Sequence, residues 1–153
     1  MLLGAWPEAL ALAKDAERAI VHHPLVSYAP NALILPYSLQ ARAAHQLGQI
    51  DFEYRMRMAA RETGERGLGP DAPILCPILL ELAVHERTPL HETVSLLQQA
   101  LLTTRRGSNA AATYASRLAA RLALLHQAGV HPPGAIEQWI ASLNEHKPVS
   151  TTI

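Results

Sequence analysis

Four segments of the chain align on one another, and that echo narrows the possible folds more than any other feature. Gly4, Gly48, Thr88 and Gly129 each stand just before an amphipathic stretch, at spacings of 44, 40 and 41 residues. Twelve residues after each marker lies an alanine: Ala16, Ala60, Ala100 and Ala141. Three residues before the last three markers lies a histidine: His45, His85 and His126. A repeat of this length holds one helical hairpin. Such a unit is too small to bury its own apolar face, so successive copies must stack to share a core.

Composition agrees with helices. Of 153 residues, 49% are apolar but only 5% are aromatic, so the core must be built from Leu and Ala. Helices packed through small side chains use such residues, whereas sheets draw on β-branched and aromatic ones. Thirteen basic residues balance thirteen acidic ones. With no net positive field, direct nucleic-acid binding is not expected, because phosphate contacts dominate that affinity. The single Cys76 lies in the apolar run Ile74–Ile78. It reads as a buried thiol with no partner for an internal disulfide. No apolar run reaches the roughly 20 residues that span a bilayer, and the first residues lack the regions of a signal peptide. The expectation is a soluble, cytoplasmic chain without membrane insertion.

The periodicity predicts seven helices. The first runs from Pro7 to Val21, with Pro7 in its first turn. The second runs from an Asn31 cap to Leu47, with a kink at Pro36. The third runs from Asp51 to Glu62, before a Gly-rich linker over Thr63–Pro70. The fourth extends from Asp71 to Glu86 and bends at Pro77. Thr88 caps the fifth, which ends near Thr104, and Ser108 caps the sixth, which ends near Gln127. The last carries Ile136, Trp139, Ile140 and Leu143. One domain over 1–146 is expected, in units of about 1–24, 31–64, 71–105 and 108–146, with a frayed tail over 147–153.

Read as hairpins, the units resemble the tetratricopeptide (TPR) repeat. In that family a glycine marks the turn and small residues follow at fixed offsets. Ala9, Thr93 and Gly134 stand five residues after their markers, and the four alanines twelve after; Glu53 departs from the pattern. The resemblance covers Gly4 to Leu143. It differs from the family period of about 34 residues by extra residues at Tyr28–Pro30 and Gly64–Pro70. It implies an all-α fold of antiparallel helical hairpins stacked as a short right-handed α-solenoid. HEAT and Sel1-like units share the longer period.

The histidines are open to two readings. As ligands they would form a ladder, but stacked helices stand 8–10 Å apart, so one ion with bonds of about 2 Å cannot join successive rungs. As helix-end residues, their imidazoles would bond the last free carbonyls. The second reading is preferred, and no metal site or cofactor is expected. No Gly-x-Ser-x-Gly elbow, His-Glu-x-x-His motif or phosphate-binding Gly-Lys-Ser/Thr loop occurs. The charges Arg55, Arg57, Arg61, Glu62, Glu65 and Arg66 form a polar face. Trp6 and Trp139 stand near the outer ends of the array, and Tyr28, Tyr37 and Tyr54 gather around the first linker.

The resemblance implies a non-catalytic module that binds a protein segment or small-molecule effector on its concave side. The candidate residues there are Tyr37, Arg42, His45, Arg55, His85 and Arg117. Long-period units of this kind resemble sensor domains of bacterial transcription activators with a signalling ATPase, which implies a fragment of a larger regulator. The alternative is the soluble accessory domain of a membrane-bound glycan polymerase or transferase, and then a periplasmic location. The first unit begins at its second helix. The apolar side of residues 7–21 therefore lacks a neighbour, which predicts homo-oligomers through the open N-terminal edge.

Overall fold

The computed structural model describes residues 5–25 and 29–145. The expected tail over 147–153 and Tyr28 lie outside the described residues. The protein is all-α. Seven α-helices are present among the described residues: α1 (Trp6–Val21), α2 (Ile34–Gln46), α3 (Ile50–Leu68), α4 (Cys76–Ala83), α5 (Leu90–Arg105), α6 (Ala115–Gln127) and α7 (Gly134–Glu145). Among the described residues no helix is long and apolar enough to cross a membrane.

Short turns join α2 to α3, α4 to α5 and α6 to α7, and each pair packs together. Short connections make such neighbours antiparallel. Between pairs, α1 lies on α2, α3 on α4, and α5 on α7. Each first helix of a pair begins the same way. A 3-10 turn over Pro30–Leu33, Pro73–Leu75 or Ala110–Tyr114 runs directly into α2, α4 or α6. Periodicity does not predict this device, and it changes the outcome at two prolines. Pro36 and Pro77 do not kink a helix. The preceding 3-10 turn shifts the α-helical start forward, so both fall in a first turn, where the missing N–H has no carbonyl to reach. The side-chain caps at Asn31, Asp51, Asp71 and Thr88 do not form, and α1 through α6 begin without one. Of the expected cap residues, Ser108 alone accepts from a turn N–H, that of Ala110, at 3.4 Å.

The predicted linker over Thr63–Pro70 is corrected as well. Helix α3 continues to Leu68. Gly64 is buried, and a methyl group placed on it would come within 2.5 Å of Leu75 Cδ2. At Gly67 the backbone N of Asn31 stands 3.1 Å from the same hypothetical atom. These glycines give neighbouring segments close access to α3, whereas a sequence scan reads them as chain breakers.

The echo markers Gly48, Thr88 and Gly129 stand at hairpin turns, and Gly4 lies outside the described residues. Gly48 and Gly129 have φ of 73° and 77°. Gln49 N–H donates to Ala44 O and Gly48 N–H to His45 O; Val130 and Gly129 repeat both bonds to Leu125 and His126. That double closure requires a left-handed residue, hence glycine. Thr88 has no positive φ, and its turn closes differently. Its hydroxyl donates to Leu82 O, Arg87 N–H donates to His85 Nδ1, and Arg121 of α6 donates to Thr88 O at 2.6 Å.

The core centres on α4, which buries Cys76, Ile78, Leu79, Leu80, Leu82 and Ala83. Each fully buried leucine contributes roughly 1.5–3 kcal/mol. A short helix that is apolar all round belongs in the middle of a stack. The alanines twelve residues past the markers report the same order. Ala60 and Ala100 have no exposed surface, whereas Ala16 and Ala141 at the two ends are exposed. One register position therefore predicts two outcomes. Ala60→Leu should lower stability by about 1–3 kcal/mol through overpacking, and Ala16→Leu should change it by less than about 0.5 kcal/mol. Thermal denaturation of both variants tests this, and equal shifts would contradict the common register.

Candidate functional site

A groove of about 810 Å³ runs between the first helices of the three pairs. Its walls follow from helical spacing. Ile34, Ser38, Arg42 and His45 fall on one strip of α2; Pro77, Ile78 and Glu81 share a strip of α4; Tyr114 and Arg117 stand three apart where the last 3-10 turn enters α6. Arg57 reaches the groove from α3.

Behind this surface lies a chain of charges. Glu53 is only 4% exposed. Arg57 Nε donates to its Oε2 at 2.8 Å, along the same face of α3. His45 Nδ1 and His85 Nε2 approach its Oε1 at 3.2 and 3.4 Å. Burial pushes the Glu53 carboxyl up, but the hydrogen bond and charge of Arg57, then those of His45, outweigh it and hold the group below its ordinary value. From Arg57 the chain continues to Glu81 at 3.9 Å and on to Arg117, whose two terminal nitrogens bond both Glu81 oxygens at 3.2 and 3.3 Å. Tyr114 lines the groove beside Glu81. Burial, then the Glu81 charge, pushes its phenol up to about 12. Side chains from α2, α3, α4 and α6, with His85 from the turn after α4, thus meet in one network.

The six candidate residues separate. Arg42, His45 and Arg117 line the groove. His85 is buried behind it, against Glu53 and tilted over the Tyr54 ring at 5.3 Å. Tyr37 and Arg55 lie elsewhere. Tyr37 packs against the core with its phenol raised by burial and by Glu17, and Arg55 stands over the Phe52 ring at 5.5 Å. The expected bonds from imidazoles to helix-end carbonyls do not form. His45 and His126 instead turn to Glu53 and Glu137, because each carboxylate starts the following helix within reach. Two histidine rungs converge on one oxygen, which the spacing estimate did not foresee, because long side chains span the gap between stacked turns. Among the described residues no group of three His, Cys, Asp or Glu side chains could hold a metal ion.

Glu53, Glu81 and Tyr114 were not among the sequence candidates. Glu53 had left a signal: it is the one marker-plus-five residue that is neither small nor neutral. Glu81 and Tyr114 left none, because their roles depend on which helices face each other. Arg42 has no carboxylate partner among the described residues, and its guanidinium lies 5.8 Å from the Trp6 ring centroid. No family model matches the chain, and neither does any curated protein or solved structure.

The lowered Glu53 value fixes a pH dependence. A carboxyl whose folded value lies below its unfolded one adds stability above about pH 4.5 and loses it as pH falls through the folded value. Glu53→Gln should cost about 1–3 kcal/mol at neutral pH and should flatten stability between neutral and acid pH. Melting curves of both proteins across that range would reveal it. Parallel curves would mean that Glu53 is not the group that titrates.

Proposed function

We propose that this chain is a non-catalytic recognition module, a short TPR-like array of helical hairpins that takes a protein segment or small-molecule effector in the groove between its first helices. The observation that carries this reading is the groove itself, walled by matching strips of three successive first helices. The order of packing and the glycine turns after α2 and α6 support the hairpin register.

The chemistry of the groove also favours binding. Ile34, Leu35, Ile74 and Ile78 supply apolar surface, and Arg42, Arg57 and Arg117 supply guanidinium groups. Small sites of this type gain affinity from apolar contact and orientation from a few placed polar groups. The titratable groups are engaged with one another: both histidines with Glu53, Glu53 with Arg57, and Glu81 with Arg117. None of these bonds holds a hydroxyl or thiol as a nucleophile would be held by its base.

A random peptide library selected on the full chain tests the reading. Selected peptides should lose at least about tenfold in affinity, or 1.4 kcal/mol, to Ser38→Trp. That substitution fills the groove without touching the Glu53 network, and circular dichroism confirms that helicity is kept. Peptides that bind the filled groove equally well would sink the proposal.

A further inference from the structure

The repeat register exposes a second surface beside the groove, which shares Arg42 with it. In α5 the residues five, eight and twelve past the marker are Thr93, Leu96 and Ala100, at 0%, 4% and 0% exposure. In α3, Glu53 and Ala60 are likewise buried at the first and last of these positions. In α1 the same register holds Ala9, Leu12 and Ala16. Leu12 is 69% exposed and Ala16 is also open. Between α1 and α2 lies a depression of about 390 Å³, lined by Trp6, Ala9, Leu12, Ala16, Leu39 and Arg42. Leu39 is 44% exposed. The short side chains of Ala9 and Ala16 let another helix axis approach to 8–10 Å.

The two banks of this depression differ in charge. Arg42 stands on the α2 side without a carboxylate partner among the described residues. On the far side, Glu8 and Asp15 flank Leu12 along one strip of α1, four and three residues away. Asp15 is paired with Arg18, while Glu8 has no ion-pair partner among the described residues. We propose that this surface seats an amphipathic α-helix of a partner protein, antiparallel to α1, with an acidic flank toward Arg42 and a basic flank toward Glu8. The antiparallel sense is that of the three pairs α2/α3, α4/α5 and α6/α7. A second copy packing α1 on α1 in that sense would set both Glu8 flanks on one side and both Arg42 flanks on the other. Charge complementarity therefore favours a different chain.

Two synthetic helices with the same Leu/Ala stripe serve as probes. One carries glutamates on one flank and lysines on the other, and the second carries lysines on both. Each is titrated into the full chain while the Trp6 indole resonance is followed, with Trp139 as the internal control. The mixed helix should bind at least tenfold tighter than the all-lysine helix, and Arg42→Glu should reverse that order. Leu12→Glu should abolish binding while leaving helicity and the groove-selected peptides unaffected. A nitroxide at the C-terminal end of the mixed helix should broaden Trp6, and one at its N-terminal end should not. Equal binding of the two helices, no change at Trp6, or the opposite broadening pattern would each overturn the proposal. So would Leu12-dependent self-association in sedimentation that neither helix displaces, which would assign the surface to a second copy.

Discussion

A carboxylate taken out of water at the start of α3 governs how the pairs meet. Glu53 is held by Arg57 on its own helix, by His45 from the end of α2 and by His85 from the turn after α4. Burying a charge costs several kcal/mol, and a buried ion pair returns little more than that cost. Its larger effect is on the alternatives: any slip of α2 or α4 along α3 would take His45 or His85 from Glu53 and leave Arg57 as its main partner. The same contacts aim Arg57 at the groove, where Glu81 passes the arrangement on to Arg117 and Tyr114. Geometry at the groove is thus tied to a constraint beneath it.

Around that constraint the helices approach closely because small residues let them. Ala60 and Ala100 are sealed, and Gly64 and Gly67 admit Leu75 and Asn31 against α3. The turns use two chemistries for one purpose. Gly48 and Gly129 close their helices with a left-handed backbone. Thr88 does so with its hydroxyl and with the buried Arg121, whose value is lowered by burial and whose Nε has no partner. A guanidinium there fastens the middle turn to the third pair, at the expense of an unsatisfied donor.

The middle and the ends of the stack differ in what they leave open. Helix α4 is covered on nearly every side, while α1 shows Leu12 and Ala16 and α7 shows Ala141. This follows from position in the packing order. An inner pair has neighbours on two sides, and an outer one has a neighbour on one side only. The groove and the α1 flank are therefore different kinds of surface. The groove is shaped by three helices held in place from behind. The flank is a register position without its cover.

Periodicity, composition and the marker spacing determined on their own that the chain is all-α, with seven helices among the described residues, and that its turns fall at Gly48, Thr88 and Gly129. Those features depend on local backbone preference and on the 3.6-residue period, which neighbouring residues alone encode. Tertiary structure decided the rest. It made Pro36 and Pro77 first-turn residues by placing a 3-10 turn before each helix. It carried α3 through the Gly64–Leu68 segment, because burial against Leu75 and Ile34 outweighs the helix cost of glycine. It drew His45 and His85 to one carboxylate and separated Arg55 and Tyr37 from the groove. Those outcomes turn on which helix faces which, over separations from 8 residues, as between His45 and Glu53, to 36, as between Arg117 and Glu81. No period or local propensity within a helix specifies which distant partner a side chain meets.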